Sequence, residues 1–204
     1  MSSIKIIRWH FRSVSSPLEG WASGQGSFSV LTTLSIDVPN TYLIRSDYYT
    51  AVTLNFDEFN HDEHMRETFE LAQEATARGD KPFGSVLVRD DTIIMSDSNR
   101  EITEDDIRRH PELHLAYRAC REYDADERAA MVMYTSTGPC PMCASGMATA
   151  GFGRVVYSVG SDGIAVFTGI EPTVRSAEIL DGISEVVGPV LNDEGRRIHQ
   201  EFDW

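Results

Sequence analysis

The chain has 204 residues, of which 41% are hydrophobic, enough for one compact core and little more. Three cysteines in that length exclude a disulfide framework and imply a reducing compartment, most simply the cytoplasm. No apolar run approaches the roughly eighteen residues a membrane span needs, and no apolar leader with a small-residue cleavage site is visible, so a soluble protein is expected.

The formal charge of −14 is unevenly spread. Residues 1–50 set Lys5, Arg8, Arg12 and Arg45 against Glu19, Asp37 and Asp47, whereas residues 51–204 carry 14 basic and 29 acidic side chains. Such an excess of carboxylates suits a cytoplasm at high salt, where screening weakens self-repulsion, and implies a halophilic source. The first stretch also holds Trp9 and Trp21, is rich in serine and shows no clear period. Residues 1–51 are therefore expected to be an extension outside the working domain, which would occupy 52–204. The extension would reflect a start assigned too far upstream, a disordered or loosely packed segment, or a transit peptide rich in Arg and Ser. Of these, only a start near Val52 also explains the missing acidity.

From residue 60 the pattern is regular. Asn60 reads as a helix cap with Glu63 three residues later, and Met65, Phe69 and Ala72 share one face until Gly79 stops the helix. Ser85–Arg89 and Thr92–Met95 read as a hairpin turning at Asp90 and Asp91. His110 opens a second helix, with Pro111 at the favoured first position and Leu113, Ala116, Ala119 and Cys120 facing inward. Ala130–Thr137 reads as a strand, Cys140 to about Ala150 as a third helix, Arg154–Val159 as a fourth strand, Glu185–Val190 as a fifth, and Asp193–Phe202 as a closing helix. This alternation argues a three-layer α/β/α domain around a five-stranded sheet.

His110, Pro111 and Glu112, followed by Pro139, Cys140, Pro141, Met142 and Cys143, form H-x-E and then P-C-x-x-C. One imidazole and two thiolates fill three tetrahedral positions around Zn2+ and leave the fourth for water, which distinguishes catalytic from structural zinc. Glu112 is placed to take a proton from that water and return it to a leaving group. Both clusters lie where a helix begins, so two positive dipole ends converge and favour the thiolates. A redox dithiol would not need H-x-E, and a structural zinc knuckle needs another close ligand. Cys120 reads as a buried thiol. His114, one turn after His110, is a weaker competitor for the metal because two-histidine helical sites usually take the form H-E-x-x-H.

Lys81–Val88 (KPFGSVLV), His110–Ala116 (HPELHLA) and Tyr134–Cys143 (YTSTGPCPMC) resemble the cytidine deaminase superfamily over most of residues 60–204. The resemblance is strongest to the nucleoside deaminase branch, which includes guanine deaminases and tRNA adenosine deaminases. It implies a cytidine deaminase-like fold with a mixed sheet, parallel fourth and fifth strands, and a homodimer. It also implies His110, Cys140 and Cys143 as zinc ligands and Glu112 as proton shuttle. In that chemistry a zinc-bound hydroxide attacks the ring carbon carrying the amine, and ammonia leaves. Asn99 matches the asparagine that hydrogen-bonds the base, and Phe83 a residue that packs on the ring. Gly138 departs from the glutamate usual before P-C, a change expected to alter tuning without abolishing activity. Asp162 lies within one residue of an acidic position that reads the purine edge in guanine deaminases, although the match needs a gap. The C-terminal segment of those enzymes reaches over an active site, which makes Trp204 a candidate lid.

The expected substrate is a small purine or pyrimidine, with guanine or guanosine foremost. An RNA-editing adenosine or cytidine deaminase acting on tRNA is the alternative, disfavoured because a polyanion calls for a basic surface. A zinc-stabilised binding protein without turnover is the third reading, in which Glu112 would be idle.

Overall fold

The computed structural model describes residues 55–204; the expectation for residues 1–51 lies outside them. A five-stranded sheet runs in the order β2-β1-β3-β4-β5. Its strands are β1 (Gly84–Arg89), β2 (Thr92–Ser98), β3 (Met131–Thr137), β4 (Arg154–Val159) and β5 (Glu185–Val187). β1 is antiparallel to both β2 and β3, whereas β3, β4 and β5 are mutually parallel, the β4–β5 pairing as the family resemblance implied.

Side-chain alternation along the strands sorts the core into two layers. On β3, Met131 and Met133 face one side and Val132 and Tyr134 the other. The first side is covered by α2 (Pro111–Glu122), α4 (Pro141–Ala150) and α6 (Ser176–Leu180), through Leu115, Ala119, Met147 and Leu180. The second is covered by α1 (His61–Arg78) and α7 (Asn192–Gln200), through Met65, Phe69, Ala72 and Ile198. Two short helices, α3 (Ala125–Ala129) and α5 (Ser161–Thr168), complete the α-helices of the described residues, which also hold 3-10 turns at Phe56–Glu58 and Ile107–Arg109. Among these residues no helix is long and apolar enough to cross a membrane.

The boundaries have local causes. Asn60 caps α1 by accepting from the Glu63 amide, and Gly79 ends it in the left-handed conformation. The hairpin turns on Asp90 and Asp91, both at positive φ, and Asp91 is anchored by the Asn60 amide at 2.9 Å and by His64 at 2.7 Å. β2 runs three residues past its expected end at Met95 because Ser96–Ser98 pair with Gly84–Val86, which brings Asn99 alongside Phe83. β5 is shorter than expected, since Pro189 has no N–H to continue the ladder. α7 ends at Gln200 rather than Phe202, and the Trp204 indole donates to the His199 carbonyl at 3.0 Å, satisfying one last-turn acceptor.

Cys120 is exposed and Leu113 only half-buried, contrary to the inward assignment. The buried stripe of α2 is Glu112, Leu115, Ala116 and Ala119. Leu113 and Cys120, seven residues apart, lie about a quarter turn from its centre.

Gly84 explains the small residue in KPFG. A Cβ there would come within 2.6 Å of Leu71 Cβ and 2.7 Å of the Ala72 amide nitrogen, and would also strike the Thr68 carbonyl. These are backbone and first side-chain atoms of α1 and cannot rotate away. Gly84→Ala is therefore expected to lower stability by about 1–3 kcal/mol, read as a reduced urea midpoint.

Candidate active site

α2 and α4 both start beside the carboxyl end of β3, each with proline in its first turn. Their first residues carry the two ligand clusters into contact. His110 Nδ1 lies 3.5 Å from Cys143 Sγ and 3.8 Å from Cys140 Sγ, and the three ligand atoms all fall within 4.8 Å of one another. Zinc held tetrahedrally by one nitrogen and two sulfurs sets each nitrogen–sulfur separation at about 3.6 Å, so the side chains fit that ion as they stand. Cys140 is held down to about 4, first by the hydrogen bond from Cys143 and further by His110. Cys143 is pushed well above the ordinary thiol range by that same bond and by burial. His114 takes no part; its ring nitrogens face Asp97 and Arg109.

Glu112, in the first turn of α2, is only 5% exposed. Thr135 on β3 donates to its Oε1 at 2.9 Å and accepts from Ser85 on β1 at 3.1 Å. Burial raises the carboxyl pKa, so the group holds a proton more readily than a surface glutamate does.

A cavity of about 310 Å³ opens over these groups. His110, Glu112 and Cys140 lie in its wall together with Phe83, Thr137, Gly138 and Pro141, and the rest of the lining comes from α5 and the loop that follows it, residues 170–174. Asn99 is fully buried; its backbone N–H donates to the Phe83 carbonyl at 2.9 Å, and its side-chain Oδ1 accepts from the Glu101 backbone N–H at 3.0 Å. That contact assigns the amide orientation and leaves Nδ2 as a buried donor without a partner among the described residues. An orphaned donor of this kind needs an acceptor from a ligand or a water.

Of the expected substrate contacts only Phe83 is part of the cavity wall; Asn99 is buried outside the lining, and two others sit elsewhere. Asp162, in the first turn of α5, is largely exposed and pairs with Arg175 at 2.9 Å, outside the cavity. Trp204 does not line the cavity either. Its ring lies 5.9 Å from that of Phe83 and 5.7 Å from that of His199, so it supports the phenyl ring from behind. Glu171, by contrast, lines the cavity from the loop after α5. No local motif marks Glu171, because its place depends on how α5 is laid against α7. Gly138 has a packing reason: a Cβ there would sit 3.3 Å from the Ser161 amide nitrogen and 3.4 Å from Gly160 Cα, where α5 begins.

The model of the MafB19-like deaminases matches residues 59–188, and the chain belongs to that family within the cytidine deaminase-like superfamily. It is a deaminase of nucleobases or nucleosides. Over 148 residues it is 30% identical to a probable cytosine deaminase of Schizosaccharomyces pombe, covering 68% of this chain and 90% of that one. It is 28% identical over 131 residues to the tRNA-specific adenosine deaminase of Bacillus subtilis, covering 64% and 81% of the two chains. The guanine deaminase structure from Nitrosomonas europaea superposes with a TM-score of 0.61 over 69% of this chain and 82% of that one at 19% identity, a likeness of fold.

His199 backs the same wall. It is 1% exposed, and its Nε2 lies 3.1 Å from the hydroxyl of Thr137. Burial, aided by the charge of Arg196, lowers its pKa to about 4. In the unfolded chain the ring titrates near the ordinary value of about 6.5, so on acidification the unfolded state takes the proton first. The stability gained by keeping His199 neutral is full above about pH 6.5 and is lost as the pH falls towards 4. His199→Gln, which cannot titrate, is expected to flatten the fall in melting temperature between pH 6.5 and 4 relative to wild type.

Proposed function

We propose that this deaminase is a zinc enzyme that hydrolyses the exocyclic amine of a free base or nucleoside, with guanine or guanosine preferred. The observation carrying this reading is a buried carboxylate, Glu112, beside a His/Cys/Cys triad of zinc dimensions, with Glu112, His110 and Cys140 in the wall of one cavity. When bound, zinc would supply the Lewis acidity that makes water deprotonate near neutral pH. His110, Cys140 and Cys143 would hold it. Thr135 restrains Oε1 of Glu112, leaving Oε2 to accept a proton from water and pass it to the departing amine. Phe83 offers a ring face for stacking, and Asn99 Nδ2 a donor for a ring nitrogen or carbonyl.

Glu171 supports the guanine preference. Guanine presents two adjacent donors, N1–H and the 2-amino group, which suit an ionised carboxylate; adenine has neither. Release as a small molecule also fits the charge, because residues 51–204 hold twice as many acids as bases and a tRNA would meet few cations.

Two measurements test this. Ammonia release across guanine, guanosine, cytosine, adenine and a tRNA, in molar salt, is expected to be fastest with guanine or guanosine, and Glu171→Gln to reduce kcat/KM for guanine about tenfold or more while sparing cytosine. Turnover of tRNA alone would reverse the substrate assignment. Separately, Glu112→Gln is expected to retain one zinc per chain and lose kcat on the order of a hundred- to ten-thousandfold, read by metal analysis and steady-state rates. Wild-type rates in that variant would identify another proton shuttle.

A further inference from the structure

Glu101 lies nine residues before His110 and is not part of the cavity wall. Its carboxylate sits behind the triad. Oε2 accepts from Lys81 Nζ at 2.9 Å and lies 3.1 Å from His110 Nε2, on the opposite side of the imidazole from the two sulfurs. An ionised carboxylate can only accept, so the ring nitrogen facing it carries the proton. The lone pair of Nδ1 is then directed at the space between Cys140 and Cys143. A ring with the other tautomer would set two lone pairs against each other at Nε2 and place a proton where the metal has to bind.

We propose that Glu101, itself held by Lys81, is a positioning residue that fixes the tautomer and ring plane of His110 for zinc. The proposal rests on the zinc reading above and adds an outer layer to it. Carboxylates in this place raise the basicity of a ligating histidine as well as orienting it. Lys81 has a defined share: its ammonium holds the carboxylate oxygen that meets His110, and both charged groups are partly shielded from solvent, with side-chain exposures of 37% and 24%. A second contact of Glu101 is independent of its side chain. Its backbone amide donates to Asn99 Oδ1 and orients the buried side-chain amide proposed above to meet the base. Truncating the carboxylate removes the support of the metal ligand and retains the support of Asn99. The metal end and the base end of the site can thus be perturbed separately.

The test uses the full chain as wild type, Glu101→Ala, Glu101→Gln and Lys81→Met. Zinc affinity is measured by competition with a chromogenic chelator, and the ligand field by visible absorption of the cobalt(II)-substituted proteins. Glu101→Ala is expected to weaken zinc binding about ten- to a hundredfold and to shift the cobalt bands. Glu101→Gln keeps the shape and a carbonyl acceptor without the charge, so it should fall between Ala and wild type, and Lys81→Met should weaken binding less than Glu101→Ala. Gln serves as the measure if Ala disturbs the loop, as seen by melting temperature. If wild type binds zinc and both Glu101 variants match it within about twofold with unchanged cobalt spectra, the positioning role is overturned while the metal site stands. Failure of wild type to take up zinc would overturn the metal reading and this inference with it.

Discussion

A hydrogen-bonded chain from Ser85 through Thr135 to Glu112 ties three elements of the fold to one carboxylate. Burying a carboxylate away from water is costly unless it finds partners or takes up a proton. Here both occur: Thr135 supplies the hydrogen bond and the low-dielectric surroundings raise the proton affinity. The arrangement also demands a particular sheet. Ser85 and Thr135 are direct cross-strand partners, so a slip of one residue between β1 and β3 would turn one of them to the far face and leave the carboxylate alone. The alternating apolar residues of β3, methionines on one face and Val132 and Tyr134 on the other, make that slip expensive. Core patterning and the placement of the buried Glu112 carboxylate are thus one constraint.

The same face of the sheet sets the His110, Cys140 and Cys143 cluster. α2 and α4 pack side by side through Leu115, Ala116, Ala119, Ala144 and Met147, and both begin at one end of β3. Their dipoles point the same way, which favours anionic sulfur and a carboxylate in their first turns. The ligand clusters need no long connection to reach each other. Each lies at the very start of its helix, with the following proline in a conformation that suits both loop and helix.

The cavity above this centre is built differently. Its floor comes from helix starts and a strand end, and its walls from Phe83, α5 and residues 170–174, with His199 and Trp204 supporting them from behind. These parts touch through aromatic contacts and few hydrogen bonds. Such walls can change in shape without disturbing the His/Cys/Cys floor.

The sequence by itself determined the caps of α1, the hairpin turn, the five strands and the His110, Glu112, Cys140 and Cys143 constellation. The caps, the turn, the strands and each half of the constellation, His110 with Glu112 and Cys140 with Cys143, are written in residues less than about two helical turns apart, where spacing and backbone geometry leave little freedom. α3 was not anticipated: its Asp124–Glu127 capping box lies in an acidic run that reads equally as a loop. Nor were α5 and α6, because they are short and owe their stability to packing rather than to propensity. Only the tertiary structure decided which acidic residue enters the cavity: Arg175 draws Asp162 outward, and the loop after α5 carries Glu171 in. It likewise decided that Trp204 supports Phe83 and that Glu101 and Lys81 stand behind His110. Those choices join residues far apart in the chain through loops of irregular path, and neither periodicity nor motif spacing encodes where such a path leads.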